Sequence, residues 1–129
     1  MATTNPTPRG YHSITPSVVV NDAAKALEFY HNAFDAKETY RLPLNGKIGH
    51  AELQIGDSRL LLSDEWPEWD ALGPKTRGGA TGSFMIYVPD ADAAVEKAVK
   101  AGAKVVRQLF ADGQAKPRHA THCIFTIFL

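Results

Sequence analysis

The feature that most constrains this chain is that its sequence repeats itself. An apolar run ending in Val20, the pair Asn21-Asp22, and then Leu27, Glu28 and Ala33 return at one constant spacing as Val88, Pro89-Asp90, Val95, Glu96 and Ala101. Such self-similarity marks a duplicated supersecondary unit, here a strand followed by a capped helix. The first copy runs over 11–78 and the second over 79–129. The second has fewer residues available, so we expect a shortened second unit.

Punctuation along the chain fills in the unit. Residues 14–20 read as a strand with Pro16 at an edge or bulge. Asp22 is placed to cap a helix whose apolar stripe is Ala23, Leu27, Tyr30 and Phe34. Strands are expected over 37–44 and 47–55, joined by Asn45-Gly46, a strong hairpin signal. Gly56-Asp57 then turns the chain into a strand over 58–63. The first unit therefore reads β-α-β-β-β. A loop over 64–79 precedes a strand at 82–88, a helix capped by Asp90 and striped by Ala91, Val95, Ala98 and Val99, and a strand at 103–108. Residues 111–121 are polar and irregular, and 123–129 form an apolar run. The expected class is α+β: one domain over 11–129 made of paired βαβββ modules, preceded by a flexible tail at 1–10.

Composition narrows the function. The 129 residues are 44% hydrophobic and 22% charged with zero formal net charge, as in a soluble globular protein. Lys and Arg are scattered, which argues against nucleic acid or an acidic membrane surface as partner. No run reaches the roughly 20 apolar residues of a membrane span, and the polar first ten residues do not resemble a signal peptide. The single Cys123 has no disulfide partner within the chain and reads as a small hydrophobe. These features together point to a cytoplasmic protein.

Strand alternation selects the candidate site. In 48–55, Gly49, Ala51, Leu53 and Ile55 share one face and His50, Glu52 and Gln54 the other. The apolar set should pack on the helix, leaving the polar set on a concave side with Thr15, Ser17 and Val19, and with Ser83, Met85 and Tyr87 of the second unit. His50 and Glu52 are candidate catalytic residues: a carboxylate two residues away can orient an imidazole or share a metal with it. A solvent-facing polar strip is the plainer reading of the same pair. Glu28, His31 and Asp35 offer a ligand-like cluster, but they fall near the exposed face of an amphipathic helix, and a solvated face is the better explanation. His119 and His122 form H-x-x-H in the irregular tail. Trp66 and Trp69 either close over a ligand or pack their own loop.

The duplication, the stretch Ile48-Gly-His-Ala-Glu-Leu-Gln-Ile-Gly-Asp57, Leu62-Ser-Asp-Glu65, Gly73-Pro-Lys-Thr76 with Gly78-Gly79, and Tyr87-Val-Pro-Asp-Ala-Asp92 resemble the PhnB-like branch of the vicinal oxygen chelate superfamily. That superfamily includes glyoxalase I, extradiol dioxygenases, and bleomycin and fosfomycin resistance proteins. In metal-dependent members the resemblance implies ligands from the first and last strand of each unit. Here those positions fall on Thr15, Leu61 and Ser83, with the fourth in the divergent 111–129 segment. Thr, Leu and Ser do not make a usual divalent site, so no standard metal or cofactor is expected.

The expected function is binding of a small organic molecule in the concave cleft, lined by Thr15, Ser17, Gln54, Leu61, Ser83, Met85 and Tyr87 and covered by Trp66 and Trp69. The alternative is a metal-dependent lyase, isomerase or dioxygenase in which His50, Glu52 and a tail histidine hold a divalent ion. A homodimer is expected, because a unit short of a strand leaves a sheet edge to cover.

Overall fold

The computed structural model describes residues 4–106 and the backbone of a strand at 122–125. The first module is built from β1 (Ser17–Val20), α1 (Ala23–Phe34), β2 (Lys37–Leu44), β3 (Lys47–Ile55) and β4 (Ser58–Asp64). A 3-10 turn over Pro67–Trp69 and the short helix α2 (Pro74–Arg77) lead to β5 (Phe84–Tyr87), α3 (Ala91–Lys100) and β6 (His122–Phe125).

Both helices start as the repeat implies. Asp22 accepts a hydrogen bond from the Lys25 backbone N–H and Asp90 one from Ala93, each at 3.0 Å. Asp35 ends α1 in the left-handed conformation, its N–H returning to the His31 carbonyl at 3.0 Å. Asn45 and Gly46 take φ of 49° and 75°, the geometry of a tight hairpin turn between β2 and β3.

β2, β3 and β4 form an antiparallel meander, and β1 adds in parallel beside β4, giving the order β1-β4-β3-β2. α1 covers one face. There Val20, Ala26, Leu27, Tyr30, Ala51, Leu53, Leu60 and Leu62 close the core, with Leu53 and Leu62 each 1% exposed. Asp64 locks the two layers: its Oδ1 accepts from the Ala23 N–H at 2.8 Å and its Oδ2 from the Ile48 N–H at 2.7 Å. β5 pairs antiparallel with β6 in a separate two-stranded sheet. α3 packs beside α1 through the fully buried Ala98 and the Lys97–Asp35 ion pair.

Three expectations need correcting. The first strand begins at Ser17 rather than residue 14: Pro16 has no N–H to donate, only its carbonyl joins the sheet by accepting from Leu61 at 2.9 Å, and Ile14 is exposed. β5 is shorter than 82–88. Residues 103–106 are not a strand, and 107–108 lie outside the described residues. There the Ala103 N–H turns back to the Ala98 carbonyl at 2.9 Å, with Gly102 at φ 110°, so the segment begins by capping α3 instead of joining a ladder.

Candidate functional site

The face of the first sheet away from α1 is organised in rows. Ser17 of β1 lies beside Leu61 of β4, Leu61 beside Glu52 of β3, and Glu52 beside Tyr40 of β2. His50 pairs with Leu42 one step along, and Gln54 with Arg59 on the other side. Alternation therefore separates the faces as expected: Ala51 and Leu53 are buried in the core while His50, Glu52 and Gln54 point to the opposite side, half-buried.

Glu52 is the centre of this face. The Tyr11 hydroxyl donates to Glu52 Oε2, and His50 Nε2 lies 3.2 Å from Oε1. The Arg59 guanidinium sits 5.0 Å from the centre of the Tyr11 ring and donates to Thr39 Oγ1 at 2.8 Å. Tyr40 flanks His50 with ring centres 6.1 Å apart. The Tyr11 hydrogen bond is the main cause holding the Glu52 carboxyl below its ordinary range, with His50 and Arg59 adding to it against desolvation. The same hydrogen bond raises the Tyr11 phenol above its ordinary value. Tyr11 is thus a neutral donor and Glu52 a carboxylate. A carboxylate only accepts, so the hydrogen between Glu52 and His50 belongs to Nε2; in the neutral form of the ring Nδ1 is then the acceptor that a ligand can use.

Of the lining expected from sequence, Ser17, Leu61, Gln54, His50 and Glu52 share this face. Gln54 donates to the Gly56 carbonyl at 3.1 Å and so supports the β3–β4 turn. Thr15 is half-buried just before β1. Ser83 stands across a gap: with Ser17 it lines a cavity of about 530 Å³ between β1 and the start of β5. Met85 and Tyr87 are exposed on β5 and line neither this cavity nor the smaller one beside α1. Trp66 is 7% exposed beneath Lys47, whose Nζ is 5.1 Å from its ring centre, and Trp69 stacks on it at 5.3 Å. Neither tryptophan lines either of these two cavities; the part of their loop that does line the larger one is 72–77, through Leu72, Pro74 and Arg77.

Sequence reasoning missed Tyr11, Arg59 and Tyr40 as members of the face. Tyr40 was not readable from the Asn45-Gly46 turn, whose register would set it opposite Ala51; an irregularity between Leu42 and Pro43 shifts the pairing by one residue and brings Tyr40 to Glu52. Nor was Tyr11, because a turn at Pro8, where the Tyr11 N–H bonds the Pro8 carbonyl at 3.1 Å, brings it to the sheet.

The residues at the family's metal-ligand positions do not fit a divalent ion: Thr15 and Ser83 offer neutral hydroxyls and Leu61 no donor. Among the described residues no three His, Cys, Asp or Glu side chains converge. Glu52 already uses both oxygens on Tyr11 and His50. In the Glu28–His31–Asp35 cluster, Asp35 instead pairs with Lys97, which lowers its carboxyl, and His31 Nδ1 bonds the Ala36 carbonyl at 3.1 Å. His119 and the side chains of His122 and Cys123 lie outside the described residues. Among the described residues no helix is long and apolar enough to cross a membrane.

Two solved structures share the fold of this chain. A gene product of Arabidopsis thaliana superposes with a TM-score of 0.63 at 27% identity, over 76% of this chain and 79% of that one. TioX from Micromonospora sp. ML1 superposes at 0.53 with 23% identity, over 84% and 81%, and shares the fold. Uncharacterized proteins of Mycobacterium bovis and Mycobacterium tuberculosis are each 39% identical over 101 residues, 75% of this chain. The match spans 66% of the length of the first and 59% of the second. The model of the Glyoxalase/Bleomycin resistance protein/Dioxygenase superfamily matches residues 10–119, which takes in all of the first module and the β5–α3 start of the second. With the duplicated strand–helix unit and the β1-β4-β3-β2 sheet, this match means that the chain belongs to the glyoxalase/bleomycin resistance protein/dioxygenase superfamily.

Proposed function

We propose that this protein, as a PhnB-like member of its superfamily, binds a small organic molecule on the concave face of the first module without a standard metal site. The observation that carries the reading is Glu52 held between Tyr11 and His50 in a row otherwise made of Ser17, Leu61 and Tyr40. A charge fixed on both oxygens and set among neutral side chains costs desolvation free energy and orients whatever lies against it. The ligand class is a flat, uncharged or weakly basic heterocycle that donates a hydrogen bond to His50 Nδ1 and stacks on Tyr40. Polyanions are disfavoured by the Glu52 carboxylate, since the nearby Arg59 is engaged with Thr39 and Tyr11.

Two-dimensional amide NMR with a library of neutral heterocycles and phosphorylated compounds tests this. Heterocycles shifting His50, Glu52 and Leu61, with the effect lost in Glu52→Ala, support it; hits confined to phosphates overturn it. Stoichiometric zinc, nickel, manganese or iron in the purified protein, lost in Glu52→Ala, would put the metal-dependent reading in its place.

The proposal includes a homodimer. Its support is β2, the end strand of the sheet, which is exposed along its whole length and carries Tyr40, Leu42 and Leu44 towards solvent. Light scattering that returned a monomer at micromolar concentration would remove this part.

A further inference from the structure

The concave face already holds an aromatic ring, and the chain itself supplies it. Tyr11 donates its hydroxyl to Glu52 Oε2, and its ring centre lies 5.0 Å from the Arg59 guanidinium. Both partners are held in place without it. Arg59 donates to Thr39 Oγ1 at 2.8 Å, and that hydroxyl donates in turn to the Glu52 backbone carbonyl at 3.3 Å. Glu52 lies beside Leu61 in the sheet, with His50 Nε2 3.2 Å from Oε1. A carboxylate oxygen that needs a donor and a fixed cation that attracts a π face are together a site for a donor-bearing aromatic ring.

The segment that carries Tyr11 is lightly attached. Its own hydrogen bonds are internal, from Thr7 N–H to Asn5 Oδ1 at 3.0 Å and from Tyr11 N–H to the Pro8 carbonyl at 3.1 Å. Among the described residues, the Tyr11 hydroxyl makes the one hydrogen bond between residues 4–15 and the rest of the protein. His12 and Ser13 are exposed, Ile14 is 84% exposed, and among the described residues no member of the buried core precedes Val20. Withdrawal of Tyr11 therefore gives up one hydrogen bond and one ring contact and opens no core, which places the segment at the low end of local stability. The chain rejoins the sheet at Pro16, whose carbonyl accepts from Leu61 at 2.9 Å. A flexible tether of that length spans about 12 Å, and it keeps the tyrosine ring at an effective concentration on the order of millimolar.

We propose that Tyr11 is an intramolecular plug of the concave face, displaced by a neutral aromatic molecule that carries one O–H or N–H donor. This rests on the reading of that face as a small-molecule site and adds what gates it and which class of molecule opens it. The incoming donor takes Glu52 Oε2, the ring takes the Arg59 guanidinium, and the Tyr11 segment leaves the face. A ring without a donor leaves the carboxylate oxygen unpaired, and a donor without a ring leaves Arg59 without its π face, so both lose to the tethered tyrosine. The plug lowers the apparent affinity of every ligand by the fraction of molecules in which Tyr11 has left, which makes the face selective for molecules that replace both contacts at once.

The probes are p-cresol, the tyrosine side chain freed from its backbone, and toluene, which lacks the hydroxyl. Each is titrated by NMR into wild type, Tyr11→Ala and Tyr11→Phe, with the Glu52 carboxyl, the Arg59 Nε–H and the amides of residues 9–13 as readouts. In Tyr11→Ala, p-cresol should shift Glu52, Arg59 and Leu61 saturably and bring the Glu52 carboxyl titration back towards its wild-type position. Wild type should bind it about threefold to tenfold more weakly, the worth of the tethered hydrogen bond. Its amides at residues 9–13 should move towards the positions of an unattached chain as p-cresol saturates. Tyr11→Phe, which keeps the ring alone, should fall between the two, and toluene should leave Glu52 unshifted in all three. No saturable binding to Tyr11→Ala, equal or tighter p-cresol binding in wild type, or toluene binding as well as p-cresol would each overturn the proposal. So would saturation of wild type with the amides of residues 9–13 unmoved, since the segment would then be a fixed wall beside the ligand. Neutral heterocycles shifting His50 in the wild type alongside any of these results would leave the reading of the concave face standing and remove the plug alone. Binding by neither heterocycles nor p-cresol in any of the proteins would remove both.

Discussion

Tyr11 and Glu52 are joined by a hydrogen bond across 41 residues of chain, and through it the N-terminal segment becomes part of the concave face. The bond fixes which group carries charge: it lowers the Glu52 carboxyl and raises the Tyr11 phenol. Everything else on the face is arranged around that carboxylate.

Tyr11→Phe should raise the Glu52 pKa, read by carbon-detected NMR titration of its carboxyl. A carboxylate whose folded pKa is depressed contributes stability that is present above its unfolded value near 4.3 and lost as pH falls through the folded value. The variant should therefore be less stable than wild type at pH 7, by less than about 1 kcal/mol because both groups are partly exposed. The difference should shrink as the solution is acidified below the Glu52 folded pKa. At alkaline pH the raised Tyr11 phenol works the other way, and its contribution fades as pH rises through its folded value. An unchanged Glu52 titration would mean that the bond does not persist in solution.

Asp64→Ala should cost about 2–4 kcal/mol in urea unfolding, because two buried backbone donors, Ala23 and Ile48, lose their acceptor together. Asp64→Asn, which keeps one oxygen, should fall between the two proteins. A loss under about 0.5 kcal/mol in Asp64→Ala, the level of ordinary surface changes, would show that water replaces the carboxylate.

Leu53→Ala should destabilise by about 2–5 kcal/mol, the usual range for emptying a closed core position. Tyr40→Ala, on the other side of the sheet and 49% exposed, should cost well under about 1 kcal/mol. The pair measured by thermal and chemical unfolding checks the assignment of the two faces: comparable losses would mean that the concave side is itself closed by further packing.

Tryptophan emission should divide into two populations. Trp66 is 7% exposed and Trp69 67%, so acrylamide should quench Trp69 first, and Trp69→Phe should leave a blue-shifted, poorly quenched signal. Uniform quenching in the wild type would place Trp66 at the surface.

Much of this protein is legible in local sequence. The Asp22 and Asp90 caps, the Asn45-Gly46 turn and the opposition of Ala51 and Leu53 to His50 and Glu52 all depend on residues within a few positions of one another. Their conformational preferences act before any long-range contact forms, so the repeat and the polar face can be read directly. What the tertiary structure decided is which distant segments meet. The strand register put Leu61 and Tyr40 beside Glu52, and a turn at Pro8 delivered Tyr11 to the same carboxylate. The loop after β4 turned its tryptophans onto Lys47 and its Leu72–Arg77 part towards β1. Tyr30 shows the difference most plainly. Its spacing on α1 assigned it to the core, and the core is where it lies, but only the gap between β1 and β5 made a core tyrosine part of the wall of a cavity as well. Helical periodicity says which side of a helix is covered, and the packing of other elements decides whether that cover is complete.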